Sequence, residues 1–256
     1  ETLPTALIED GTAVALEVVL YKPQGDGPFP LAVINHGSTG RGDDPAIFKD
    51  TFQNAWLADM LVERGWMIAF PQRRGRGGSD GLYDEGFAED RARYTCDGER
   101  SLAGADRALD DISAAIGALR QRPDVKISPV LIGGISRGGV LSVTWAGRNP
   151  DDTHGVLNIV GGWLGEGCGD SAPVDRRLFS EGGSFAGEML WLYGLDDTFY
   201  SIDFSRQNHA AFLAAGGTGA FHEFRVNGED NGHWVMSSPT LWDYIVISYL
   251  DKLMQL

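Results

Sequence analysis

The sequence predicts an α/β protein, with a mostly parallel eight-stranded sheet, helices on both faces and an antiparallel hairpin at the N-terminus. Three observations carry this. Short apolar runs alternate with stretches of helical spacing along most of the chain. The runs are apolar throughout, as expected of strands covered on both faces. No repeat, low-complexity tract or linker interrupts the 256 residues, and 43% hydrophobic content suffices for a sizeable core. The chain therefore reads as one domain, 1–256.

Taken in order, Leu7-Ile-Glu-Asp10-Gly11-Thr-Ala-Val predicts two strands joined by an Asp-Gly turn, the second running over 14–21. Residues 23–30 form a loop, and Leu31-Ala-Val-Ile34 is a buried strand ending in Asn35-His-Gly-Ser-Thr-Gly40. Phe52, Trp56 and Met60, with Leu57 and Leu61, predict a helix stopped by Gly65. A strand over 66–70 leads into a glycine-rich loop over 73–81. Leu102, Ala105, Leu109, Ile112, Ile116 and Leu119 alternate spacings of three and four, an amphipathic helix with Arg107, Asp110 and Asp111 on its other face. Then come a strand over 130–132 that breaks into Gly-x-Ser-x-Gly and a helix, strands over 155–160, 188–193 and 221–226, a helix over 203–215 and a closing helix through Trp242, Ile245, Tyr249 and Leu253. A long irregular segment separates the second and third of those strands.

A net charge of -15 disfavours nucleic acid and anionic membrane surfaces, both of which would repel the chain. No apolar run is long enough to span a bilayer. Cys96 and Cys168 lie in segments placed on the same edge of the sheet, as two buried thiols or one disulfide. A bridge, with a chain that begins at Glu1, fits a mature periplasmic or secreted protein; a trimmed form of a cytoplasmic one is the alternative. There is no metal-ligand cluster, and the loop over 73–81 lacks the Lys-Ser/Thr of a phosphate-binding loop, so no metal or cofactor is expected.

Ligands of such sheets bind beyond the carboxyl ends of the strands, which directs attention to the loops there. The run Val130-Leu-Ile-Gly-Gly-Ile-Ser136-Arg-Gly-Gly breaks from strand through Gly-x-Ser-x-Gly into helix. Such a turn exposes a serine hydroxyl for attack on a carbonyl, with the N–H of Arg137 facing the developing oxyanion. Gly134 and Gly138 let strand and helix approach. A serine nucleophile needs a base, and the base an orienting acid. Both must follow it in the chain for this architecture, which excludes His36. His154 precedes the acid candidates, while His209 and His222 fall within a helix and a strand. His233, in the polar loop Asn227-Gly-Glu-Asp-Asn-Gly232-His233-Trp, is the candidate base. Asp197, or else Asp196, in Gly194-Leu-Asp-Asp-Thr-Phe-Tyr200 is the candidate acid, and the N–H of Ser38 the second oxyanion donor.

Gly-Ile-Ser136-Arg-Gly, Asn35-His-Gly-Ser38, Gly194-Leu-Asp-Asp and Asn-Gly-His233-Trp, in this order, resemble an α/β-hydrolase over nearly the whole chain. Within that superfamily the chain looks most like the dienelactone hydrolase-related and prolyl oligopeptidase-like serine hydrolases, whose Arg-Gly-x-Gly-x-Ser stretch is similar to the segment at 74–79. Dienelactone hydrolases proper carry cysteine where this chain has Ser136, and the peptidases usually carry a propeller for which this chain has no room.

The resemblance implies hydrolysis of a small-molecule carboxylic ester through Ser136, His233 and Asp197. A peptidase or amidase with the same triad is the enzymatic alternative, and a binding protein on a hydrolase scaffold the non-enzymatic one. Residues 161–187 are expected to form a lid or binding loop. Trp163, Phe199, Tyr200 and Trp234 are expected to line the substrate.

Overall fold

The opening hairpin forms where Asp-Gly predicts it. Strands β1 (Thr2–Glu9) and β2 (Thr12–Tyr21) pair antiparallel, and Asp10 and Gly11 turn at φ of 49° and 77°, the left-handed pair of a type I′ turn. The structure, a computed structural model, describes residues 1–226 and 231–255, in two compact units, Glu1–Ser128 and Pro129–Leu256. Asn227 to Asp230, part of the polar loop noted above, lie outside the described residues.

In the first unit, β3 (Leu31–Asn35), α1 (Ala55–Val62), β4 (Met67–Pro71) and α2 (Gly98–Leu119) follow the hairpin. The strand order is β1-β2-β4-β3, with β3 parallel to β4 and β2 antiparallel to it. Both α1 and α2 start at side-chain caps. Asn54 accepts from Leu57 N–H at 2.8 Å, leaving Phe52 outside the helix; Asp97 accepts from Arg100 N–H at 2.8 Å, starting α2 ahead of Leu102. Val14, Leu16 and Ala115 form a buried apolar cluster between β2 and α2.

The glycine-rich loop after β4 is stitched to β2. Asp80 Oδ2 accepts from Ala15 N–H at 3.0 Å, Ser79 Oγ from Glu17 N–H at 2.8 Å, and Glu17 Oε2 from Gly78 N–H at 2.6 Å. Its two leading arginines are buried in ion pairs, Arg73 with Glu85 and Arg74 with Asp111, each at 2.5 Å.

In the second unit, β5 (Val130–Ile135), α3 (Arg137–Arg148), β6 (Thr153–Ile159), α4 (Ser171–Glu181), β7 (Glu188–Gly194), α5 (Ile202–Ala214), β8 (Thr218–Phe224) and α6 (Asp243–Leu253) follow one another. All neighbouring strands are parallel, in the order β5-β6-β7-β8. Trp191 on β7 is fully buried against Phe179 of α4 and Phe212 of α5, at ring-centroid distances of 4.9 and 5.1 Å. Burial of this kind contributes roughly 2 kcal/mol or more per large side chain.

The segment 161–187 is not irregular throughout, as its glycines suggest. It contains α4, whose Val174, Leu178 and Phe179 are buried; a repeat of apolar side chains near i and i+4 buries one helix face despite Pro173 in the first turn. Both cysteines are disulfide-bonded, so neither is a free thiol. Among the described residues no helix is long and apolar enough to cross a membrane, and no group of metal-ligating side chains is present.

Candidate active site

Ser136 occupies the N-cap of α3 with φ 55° and ψ -124°. A non-glycine residue rarely holds positive φ, and doing so costs of order 1–3 kcal/mol. The surroundings enforce it. Ser136 N–H donates to Ile159 O at 2.9 Å, and Ser136 O accepts from Gly139 N–H at 2.9 Å and Gly162 N–H at 3.3 Å. A serine at an N-cap ordinarily spends its hydroxyl on the helix N–H groups, but this one makes no such bond and meets the Tyr200 hydroxyl instead. The close approach needs glycine at two places: a Cβ on Gly139 would lie 2.5 Å from Asn158 Oδ1, and one on Gly161 2.0 Å from the same atom.

Asp197 and His233 are brought together by two loops that interlock through glycine. A Cβ on Gly194 would lie 1.9 Å from Gly232 O, and one on Gly232 2.0 Å from Leu195 O. Asn231 ties the loops laterally, its Oδ1 accepting from Thr198 and His233 N–H at 3.1 and 3.0 Å and its Nδ2 donating to Thr198 Oγ1 at 2.8 Å. Across this seam His233 Nδ1 donates to Asp197 Oδ2 at 2.8 Å, with both side chains buried. Asp197 Oδ1 is satisfied by Phe199 and Tyr200 N–H at 2.7 and 3.1 Å. An acceptor-only carboxylate at Nδ1 puts the ring proton there and leaves Nε2 with a lone pair, the tautomer of a general base. Asp196 faces away, 68% exposed at its side chain and paired with Arg225 at 2.8 Å.

The anticipated aromatic wall divides in two. Phe199 and Trp234 are about half exposed, with ring centroids 4.7 and 5.7 Å from that of His233. Trp163 and Tyr200 are buried. Trp163 lies under the Arg137 guanidinium, 4.0 Å from its ring centroid, and its carbonyl accepts from Arg137 Nε at 3.1 Å. Tyr200 donates its hydroxyl to Gly162 O at 2.9 Å. Burial drives its phenol pKa up, the nearby Asp175 charge adds to this, and hydrogen bonding with the Ser136 hydroxyl opposes it.

In the first unit, Ser38 is exposed in the loop after β3. His36 beside it is buried, accepts from Arg73 N–H at 3.1 Å through Nε2 and meets Gly37 O at 2.8 Å through Nδ1. Burial, then the charges of Arg73 and Arg76, hold its pKa well below that of a free imidazole. A neutral, doubly engaged ring is a brace for the loop. Arg73 adds to it by donating to His36 O at 3.0 Å. His209 is likewise structural, its ring 4.9 Å from Trp191 and 5.1 Å from Phe221.

One buried acid of this region escaped the sequence reading. Asp175, on α4, is fully buried and accepts from Trp163 and Leu164 N–H at 2.7 and 2.9 Å. Only the apolar spacing around it could have hinted at a helix there.

The geometry invites comparison with known structures. The ferulic acid-bound Est1E of Butyrivibrio proteoclasticus superposes with a TM-score of 0.66 at 14% identity, over 96% of this chain and 98% of that one. A structure from a study of carboxylesterases of Nitrososphaera gargenis gives 0.64 at 11% identity, over 97% and 98%. The fold is the α/β-hydrolase fold. An acylaminoacyl peptidase of Pyrococcus horikoshii also superposes, at 0.63 and 14% identity, over 98% of this chain but 41% of that one. No protein-family model and no curated relative matches the sequence.

Proposed function

We propose that this α/β-hydrolase-fold protein is a serine esterase acting on a small-molecule carboxylic ester, with 1–256 as one hydrolase domain. The observation that carries the reading is the buried 2.8 Å bond from His233 Nδ1 to Asp197 Oδ2, in a unit where Ser136 holds a strained, uncapped position at the head of α3. Ser136 Oγ attacks the ester carbonyl carbon while its proton passes to His233 Nε2. Asp197 orients the ring and stabilises the imidazolium. The N–H of Arg137 receives the oxyanion, such a donor being worth about a hundredfold or more in turnover. Collapse breaks the bond to the alkoxy oxygen, which takes the proton from His233 and leaves as the alcohol. Water, deprotonated by His233, then releases the acid and regenerates Ser136.

Phe199 and Trp234 are the substrate-facing aromatics of this reading, supported by their exposure beside His233. The disulfide supports a periplasmic or secreted location. The superposition on a structure from a study of carboxylesterases supports the ester reading. Steady-state hydrolysis of p-nitrophenyl acetate against an aminoacyl p-nitroanilide tests this. Turnover of the ester alone, or far faster than the amide, is expected; turnover of the anilide alone makes the protein an amidase or peptidase, and turnover of neither by folded protein favours a binding role.

A further inference from the structure

We propose that Asp175 is a positioning residue for the nucleophile, acting through the turn over residues 161–164; the proposal rests on the reading of Ser136, His233 and Asp197 as the reacting groups. The turn leaves the sheet directly after β6. The N–H groups of Trp163 and Leu164 both go to the one fully buried carboxylate. The rest of the turn then serves Ser136 and its neighbours. Gly162 N–H reaches Ser136 O at 3.3 Å, Gly162 O takes the Tyr200 hydroxyl at 2.9 Å, and Trp163 O takes Arg137 Nε at 3.1 Å. The Tyr200 hydroxyl in turn meets that of Ser136. Gly162 must lack a side chain, because a Cβ would lie 2.6 Å from the Tyr200 ring.

A buried carboxylate is a costly way to hold two backbone N–H groups. What it adds over a neutral acceptor is two strong, fork-like acceptors that fix both N–H vectors at once. The groups that face it are Arg137 from α3, Tyr193 from β7 and Tyr200 from the loop before α5. Burial pushes the Asp175 carboxyl up to about 7, against the pull of the two N–H bonds and of Arg137. The ionised form that grips the turn is therefore lost as pH falls through neutrality.

The experiment uses p-nitrophenyl acetate with the full chain. Asp175→Asn, which keeps the shape but replaces one acceptor by a donor, should lower kcat on the order of 10²-fold with KM little changed, and should remove one proton's worth of slope from the acidic limb of the kcat–pH profile. Tyr200→Phe should lower kcat by about tenfold. The double variant should fall little below Asp175→Asn, since both act through one turn. Wild-type kcat and pH profile in Asp175→Asn, or losses that simply add, overturn the proposal. If Asp175→Asn does not fold, Tyr200→Phe decides alone, and wild-type kcat there overturns it. Activity that survives Ser136→Ala overturns the underlying reading, and the proposal with it; activity lost in Ser136→Ala but untouched in the other variants overturns the proposal alone.

Discussion

The two units hold the loops at their strand ends by different means. In the first, the loop after β4 is fixed by buried charge meeting charge: Arg73 with Glu85 and Arg74 with Asp111, side chains that are 8% exposed or less. In the second, buried carboxylates meet backbone N–H groups and one imidazole, while glycine pairs let backbones touch. Charge pairs lock a loop against unfolding, because removing one partner strands the other in a low-dielectric interior. Carboxylates on N–H groups instead aim a backbone, and in Asp197 the second oxygen stays available to orient a base. Substitutions in the first unit should therefore be read chiefly in stability, and those in the second chiefly in turnover.

The sharpest way to break that contrast is at the paired aspartates. Asp197→Asn should lower kcat by about 10⁴-fold, by inverting the tautomer preference of His233, with little change in melting temperature. Asp196→Asn, whose partner Arg225 is on the surface, should leave kcat within about twofold. Equal losses at both positions would dissolve the distinction between the two acids.

Next in size is Asp111→Ala, which leaves the Arg74 guanidinium buried without its partner. Urea unfolding should show a loss of about 3–5 kcal/mol, while the folded fraction keeps near wild-type kcat. A large fall in kcat at unchanged stability would put catalytic work in the first unit's ion pairs.

Gly232→Ala should move both readouts, because its Cβ would meet Leu195 O at 2.0 Å and spread the seam between the acid and base loops. A loss of about 1–3 kcal/mol in stability with a roughly tenfold or larger fall in kcat is expected. The smallest effect belongs to Phe199→Ala, which should raise KM a few-fold, on the scale of about 1 kcal/mol for one exposed aromatic contact, with kcat nearly constant.

The fold was legible because apolar runs and helical spacings agree with the topology nearly everywhere, from the Asp10-Gly11 turn to α6. The candidate site was legible where chemistry and glycine coincide: Ser136 between glycines, Asp197 after Gly194, His233 after Gly232. What could not be read is telling. Asp175 acts on main-chain N–H groups of a turn earlier in the sequence, and such partners carry no side-chain signature. Residue type likewise reveals nothing of which aromatics are buried, as Trp163 and Tyr200 are, and which are half exposed, as Phe199 and Trp234 are. The burial of the first two follows from Arg137 stacking on one and Gly162 receiving the other. The helix α4 was hidden by flanking glycines and by Pro173, which the first turn tolerates.

The central claim, that Ser136 is a nucleophile activated through His233 and Asp197, is tested most directly by reaction with a fluorophosphonate followed by mass spectrometry of the peptides. The account predicts a single adduct on Ser136, absent in Ser136→Ala and slowed by orders of magnitude in His233→Ala. Folded wild-type protein that takes up no label, or label that persists in Ser136→Ala, would contradict it.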